Sequence, residues 1–425
     1  MKFTRINKLN GELCIPGDKS VSHRSIMLGS LAEGITEVHG FLNSADCMAS
    51  MNCFRNMGID ISYDGNIVTI NGKGLHGLKE SPVTLDVGNS GTTTRLMSGI
   101  LAAQDFTSRI TGDASICKRP MKRIMTPLSL MGADITSELE NDCTPLIIKG
   151  KKLHGISYNS PVASAQVKSC ILLAGLYAAG ETSVTEPYIS RNHTELMFDS
   201  FGVPVQVSGN TVTVKPADKL YGQKIVVPGD ISSAAYFIVA GLITPNSSIT
   251  IKNVGINPTR DGIIEVVKKM GGNITFSNIS SDVGEPTADI TIRTSSLKGC
   301  VIEGEIIPKL IDEIPIIAVL ACFAEGTTII KDAAELKVKE SNRIDMMVDN
   351  LAAMGADITA TDDGMIINGG KTLHGTTVDC KLDHRIAMSF SIAGLNADGE
   401  TKIIGSEIIN TSYPGFFDDL ASIMN

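Results

Sequence analysis

At 425 residues, 43% hydrophobic and 20% charged, the chain is too long for one ordinary core and fits two soluble domains of about 200 residues each. No apolar run reaches the roughly 18 residues of a membrane span, and residues 1–8 lack the apolar stretch of a secretion signal, so neither a membrane nor export is expected. A net charge of −9 and the lack of Trp argue against nucleic acid as a partner, and nine cysteines without a C-x-x-C pair point to a reducing cytoplasm.

A short extended run at residues 12–15 leads into Pro16-Gly17-Asp18-Lys19-Ser20-Val21-Ser22-His23-Arg24, where an apolar helical pattern begins. The turn delivers Lys19, Ser20 and Arg24 to the first turns of a helix. Backbone N–H groups lack intrahelical partners there and the helix dipole is positive, so the place suits a phosphate or a carboxylate. Asp18 stands where a nucleotide P-loop needs glycine, which argues against that loop. Further along, Gly58, Gly132, Gly202, Gly271 and Gly355 each close an amphipathic helix ahead of a strand-like run, at intervals of roughly 70–85 residues. They suit the left-handed C′ position. With a truncated last copy from Leu382 onward, the chain reads as about six units of mixed α and β structure.

A second refrain, Gly-x-x-Leu-His-Gly, occurs at residues 72–77, 150–155 and 370–375. A turn repeated in this way is architecture, so His76, His154 and His374 are expected to be structural. The first copy also matches G-x-G-x-x-G, but no helical pattern follows it and the dinucleotide reading fails. Six units divide into two halves of three, with a boundary near residues 215–222. A second Pro-Gly-Asp turn follows at residues 228–230, with Ile231-Ser232 in place of Lys19-Ser20. Because a strand precedes the first such turn, the extreme N-terminus is expected to pack with the second half.

Charged and hydrogen-bonding groups recur at helix starts. Gly88-Asn89-Ser90-Gly91-Thr92 runs into a helix carrying Arg95, and Lys118-Arg119-Pro120 precedes another. Ser164-Ala165-Gln166-Val167-Lys168 opens an apolar helix and could cap it, hold a ligand or do both, and Arg191-Asn192-His193-Thr194-Glu195 starts the next helix, where capping is the simplest role. In the second half, Asp312 is read between an apolar strand and the apolar helix 316–323. It is costly there unless paired or functional, whereas Glu313 reads as a capping or surface acid. Lys339, Glu340 and Arg343 begin an amphipathic helix, and Asp383-His384-Arg385 precede an apolar one. Cations at so many helix starts are what one cleft for anionic ligands requires.

As a set, P-G-D-K-S-x-S-x-R, G-N-S-G-T, K-R-P-M, S-A-Q, D-E-I-P, K-E-S-N-R and D-H-R resemble the 5-enolpyruvylshikimate-3-phosphate synthase family over essentially the whole chain. Gly17-Asp18-Lys19, Ser164-Ala165-Gln166-x-Lys168, Arg191-x-His193-x-Glu195 and Asn257-Pro258-Thr259-Arg260 resemble its glyphosate-tolerant class. The resemblance implies an α/β fold: a two-domain inside-out α/β barrel, each domain three βαβαββ repeats with helices inside. Residues 14–224 would form one domain and residues 1–13 plus 225–425 the other, with the active site in the cleft between them. It further implies a monomeric cytoplasmic enzyme of aromatic amino acid biosynthesis, with no metal or organic cofactor. Its substrates would be the small molecules shikimate 3-phosphate and phosphoenolpyruvate, with no nucleic acid and no membrane as partner.

The resemblance also implies roles. Lys19 would bridge both substrates and assist proton transfer, with Asp312 the base at the 5-hydroxyl and Glu340 acting at the methylene. Ser20, Arg24, Ser164, Arg191 and Lys339 would hold shikimate 3-phosphate. Gly91, Arg119, Gln166, Arg343 and Arg385 would frame phosphoenolpyruvate. Two positions depart from the pattern. Thr411 stands where many relatives have Lys, so another cation is needed or phosphoenolpyruvate binds more weakly. Gly91 is Ala in some tolerant relatives, so intermediate inhibition by glyphosate is expected. A rival is the sister family that uses UDP-N-acetylglucosamine. It has Lys-Asn at the Lys19-Ser20 position and a reactive Cys where this chain has Ala114, with Cys117 out of register. A non-catalytic phospho-ligand sensor would be expected to have lost Asp312 or Glu340, and both are present.

Overall fold

The computed structural model of the chain describes residues 1–281 and 285–424. Its contacts divide it into two compact units: Gly17–Val227, and Met1–Pro16 together with Pro228–Asn425. In chain order the helices are α1 (Lys19–Leu31), α2 (Ala45–Asn56), α3 (Gly91–Leu101), α4 (Lys122–Leu130), α5 (Ala165–Gly175) and α6 (His193–Ser200) in the first. The second holds α7 (Ile231–Ile243), α8 (Gly262–Lys269), α9 (Ile307–Leu310), α10 (Ile314–Cys322), α11 (Arg343–Ala353), α12 (His384–Gly394) and α13 (Phe416–Ser422).

One plan recurs in both units. A strand leads into a buried helix, a second strand pairs parallel to the first, an amphipathic helix follows, and two further strands close the sheet antiparallel. In the sheet of Leu85–Asp86, Thr107–Thr111, Leu146–Lys149 and Asp134–Ser137 this gives the spatial order first, second, fourth, third. The strands at Ser157–Asn159, Thr182–Thr185, Thr211–Val214 and Val205–Ser208 repeat it, as do those at Val301–Ile302, Thr327–Ile330, Met365–Asn368 and Asp357–Ala360. Each sheet has one buried face, as the alternation of buried Ile249 and Ile251 with half-buried Thr250 shows.

The two helices of a repeat differ because their sequences do. α7, Ile-Ser-Ser-Ala-Ala-Tyr-Phe-Ile-Val-Ala-Gly-Leu-Ile, is apolar on all sides and buried along its length. α7, α10 and α12 pack on one another within their unit, and α3 packs on both α1 and α5 in the other. α8 instead buries Ile263, Ile264, Val266 and Val267 and exposes Glu265, Lys268 and Lys269. The glycines expected to close these amphipathic helices do so: Gly58, Gly132, Gly202, Gly271 and Gly355 all have φ between 85° and 94°. The repeated histidine turn has a packing reason as well. A Cβ on Gly132 would touch the His154 ring at 3.4 Å, and one on Gly355 would touch the His374 ring at the same distance.

Three repeats are completed from elsewhere in the chain. Asn10–Cys14, the strand ahead of α1, pairs with Ser248–Gly255 in the first repeat of its own unit, that of Pro228–Asn425. The sheet that follows α1 takes its parallel strands from Leu220–Tyr221 and Lys224–Val226. The last repeat, truncated in sequence, is closed by Lys2–Thr4 running antiparallel on Glu400–Ile404.

Candidate active site

In the unit Gly17–Val227, the Asp18 carboxylate caps α1 by accepting the Val21 N–H at 2.9 Å. Lys19, the first helical residue, is paired with Asp46 near the start of α2 and keeps a quarter of its side chain exposed. Half-buried Ser20 follows. Arg24, one turn on, is buried: it donates from Nε to Thr194 Oγ1 at 2.7 Å, from Nη1 to the Ser20 carbonyl at 3.0 Å and from Nη2 to Ser169 Oγ at 2.7 Å. Its guanidinium thus links α1 to α5 and α6, whose first turns follow Ser164 and Arg191.

α3 and α5 run side by side with their N-termini together. A Cβ on Gly99 would lie 2.2 Å from the Cys170 carbonyl, so only glycine permits this approach. Gln166 therefore reaches the start of α3: its Nε2 donates to Thr92 Oγ1 at 3.0 Å and its Oε1 accepts from Arg95 Nη1 at 2.5 Å. Arg119 arrives from the segment before α4 and donates to Asn89 Oδ1, with Ser115 Oγ 3.3 Å away. A methyl on Gly91 would stand 2.9 Å from Arg95 Nη1 and 3.6 Å from Arg119 Nη1. Gly91, Arg119 and Gln166 are thus one cluster, with Arg95 as a further cation. Ser164 caps α5 through the Val167 N–H, and half-buried Arg191 precedes α6.

A buried chain of hydroxyls, not foreseen from the sequence, runs behind this cluster. His23 Nδ1 is 2.7 Å from Ser50 Oγ, which is 2.7 Å from Thr93 Oγ1, which donates at 2.7 Å to Ser90 Oγ, the cap of α3. Burial and then the Lys19 charge push the His23 pKa down to about 3, so its ring is neutral. Only Ser90, ahead of a helical run, carried a local signal.

In the other unit, Asp312 lies in the turn between α9 and α10. The apolar segment before it is a helix, not the expected strand, because Pro308 sits at its first turn, where proline's fixed φ suits a helix. The Asp312 carboxylate is half-buried, with Oδ1 3.4 Å from both Lys339 Nζ and Arg343 Nη1. Lys339 and Glu340 precede α11 instead of beginning it; Asn342 is its cap and Arg343 its first residue. Arg343 is 1% exposed, holding Glu340 through Nη2 at 2.5 Å and Asp383 through Nε at 2.9 Å. Burial alone would weaken its charge, but Asp383, Glu340 and Asp312 hold its pKa above the ordinary arginine range. Burial likewise opposes ionisation of Asp383, yet Arg343 keeps its pKa below the usual carboxylate value.

Arg385 follows the wholly buried cap Asp383 of α12. Its Nη1 is 3.8 Å from Glu313 Oε1, and against burial the Tyr236, Asp312 and Glu313 groups raise its pKa. Glu313 is neither a surface acid nor a side-chain cap: it is fully buried and accepts the Ser232 hydroxyl. Ser232 also receives Arg260 Nη2 at 2.6 Å, and that nitrogen is 3.1 Å from Asp230. A cation from a neighbouring segment thus stands beside the helix start where Ile231 replaced lysine. Asp312, Lys339, Glu340 and Arg343 form one cluster, and Arg385 sits beside Glu313, the residue next to Asp312. Among the described residues no group of three His, Cys, Asp or Glu side chains could hold a metal. The arrangement offers two carboxylates for proton transfer among cations that suit phosphate and carboxylate.

The family model for EPSP synthase (3-phosphoshikimate 1-carboxyvinyltransferase) matches residues 3–420. A 3-phosphoshikimate 1-carboxyvinyltransferase of Thermoanaerobacter sp. (strain X514) is 58% identical over 409 residues, covering 96% of either chain. One of Bacillus thuringiensis subsp. konkukian (strain 97-27) is 57% identical over 417 residues, covering 98% of this chain and 97% of its own. The 2.37 Å structure of an EPSP synthase from Acinetobacter baumannii superposes with a TM-score of 0.89 at 49% identity, over 99% of this chain and 97% of that one.

Proposed function

The chain belongs to the EPSP synthase family, and on that premise we propose how its residues carry the reaction. The enolpyruvyl group of phosphoenolpyruvate passes to the 5-hydroxyl of shikimate 3-phosphate, and inorganic phosphate is released. Between them the reactants carry two phosphates and two carboxylates. Both units are proposed to serve this one pair: Ser20, Arg24, Ser164, Arg191 and Lys339 hold shikimate 3-phosphate, while Gly91, Arg119, Gln166, Arg343 and Arg385 frame phosphoenolpyruvate. Arg95, in contact with Gln166, is added to the second set.

Asp312 takes the proton of the 5-hydroxyl as its oxygen attacks C2 of phosphoenolpyruvate, and Glu340, with Lys19 assisting, delivers a proton to the methylene carbon. The tetrahedral adduct then loses phosphate while Glu340 removes a proton from the new methyl group, restoring the double bond. Cations fixed in advance around the phosphate stabilise the charge that gathers there. The observation that carries this reading is the grouping of Asp312, Lys339, Glu340 and Arg343 within hydrogen-bonding and ion-pair distance.

Phosphate release on mixing both substrates, and none with UDP-N-acetylglucosamine in place of shikimate 3-phosphate, is the expected result. Release with the UDP-sugar alone would move the chain to the sister activity. We also propose a cytoplasmic monomer, to be checked by sedimentation, and glyphosate inhibition intermediate between the sensitive and tolerant classes.

A further inference from the structure

A buried ion cluster that the reaction steps do not use lies between Ser164 and Arg191. Lys168, one turn past Ser164 on α5, has only 2% of its side chain exposed. Its Nζ is 2.7 Å from Glu195 Oε1 and 3.0 Å from Glu186 Oε2, and it donates to the Ser190 carbonyl at 3.3 Å. Glu186 is 3% exposed. Its Oε1 accepts the Ser164 N–H at 2.9 Å, and its Oε2 accepts the Ser190 hydroxyl at 2.8 Å and the Ser190 N–H at 3.3 Å. A single carboxylate thus joins the cap of α5 to the residue directly before Arg191, and Lys168 neutralises it from within α5.

Stability is a poor explanation for three charges in so dry a place, since apolar side chains of similar volume commonly serve as well or better. What an ion cluster supplies and an apolar one does not is a fixed distance between two backbone segments. We propose that Glu186 and Lys168 are positioning residues that hold the Ser164 hydroxyl and the Arg191 guanidinium at the separation a sugar phosphate needs. The inference rests on the reading that Ser164 and Arg191 bind shikimate 3-phosphate. Gln166 lies in the same turn but is fixed independently by Thr92 and Arg95, so the phosphoenolpyruvate side should be spared.

The test is steady-state kinetics of the full-length enzyme with each substrate varied at saturating levels of the other. Glu186→Gln and Lys168→Met should each raise KM for shikimate 3-phosphate about tenfold, the effect of losing a charged hydrogen bond, with kcat and KM for phosphoenolpyruvate within about threefold of wild type. Ser190→Ala removes one leg of the clamp and should shift KM for shikimate 3-phosphate about threefold in the same direction, even where the charge variants do not fold. Equal rises in both KM values, or a loss of kcat at unchanged KM, would mean a merely structural cluster and overturn the proposal. Ser164→Ala and Arg191→Ala are the reference. If they leave KM for shikimate 3-phosphate unchanged, the binding assignment itself fails; if they raise it and the clamp variants do not, only the clamp fails.

Discussion

Replacing Asp312 by Asn keeps the size of a side chain that faces Lys339 and Arg343 and removes its capacity to take a proton. Turnover should fall by roughly 10²–10⁴ with both KM values nearly unchanged; weak binding at undiminished turnover would contradict the assignment. Arg119→Ala should raise KM for phosphoenolpyruvate more than that for shikimate 3-phosphate, because Arg119 belongs to the cluster at Gly91. An equal rise would remove it from that pocket. The buried histidines set a pH dependence. His23 is pushed down to about 3 and His384 to about 4, both mainly by burial. Above pH 6.5 neither the folded nor the unfolded state binds these protons, and their contribution to stability is complete. Below it the unfolded chain takes protons that the folded rings refuse, so each ring should cost about 1.4 kcal/mol per pH unit until its folded pKa is reached. A urea midpoint that stays constant from pH 7 to pH 5 would show that these rings are not held neutral.

At the scale of the element, helix starts have two jobs in the proposed site: their caps stabilise the helix, and their first turns would present donors to an anion. Ser90 shows both. It accepts the Thr93 N–H at 3.1 Å and the Thr93 hydroxyl at 2.7 Å, immediately before Gly91. Ser90→Ala should lower stability by about 1 kcal/mol, measured by denaturant titration. It should also raise KM for phosphoenolpyruvate, because the loosened turn carries that substrate's proposed site. Lost stability with unchanged kinetics would separate the cap from the site. The close approach of α3 to α5 at Gly99 belongs to the same scale, since it brings Gln166 to Thr92 and Arg95.

Taken whole, the described residues form two hydrophobic cores with no residue in common, one in each unit. Cores of this kind need not melt together. In calorimetry of the ligand-free protein, the measured unfolding enthalpy should exceed the van't Hoff value; equality would show that the chain unfolds as one cooperative body. Shikimate 3-phosphate at a hundred times its Kd should add about 2.7 kcal/mol of stability by linkage.

Local chemistry made much of this readable from the chain alone. Gly58, Gly132, Gly202, Gly271 and Gly355 mark helix ends because a left-handed residue is needed there whatever surrounds it. Asp18, Ser90 and Ser164 mark helix starts because a cap bonds residues two or three places on. Contacts between distant residues were decided only by the folded chain. Glu313 meets Ser232 across 81 residues, and the apolar flanks it shares with Asp312 did not say which of the two acids would be fully buried. His23, Ser50, Thr93 and Ser90 form one chain although no spacing links them, and Lys168 finds Glu186 and Glu195 only once α5 and α6 have packed. The strand Asn10–Cys14 lies between the two cases: its place ahead of the first Pro-Gly-Asp turn already put the N-terminus with the second half, while packing alone selected Ser248–Gly255 as the partner that satisfies its backbone hydrogen bonds.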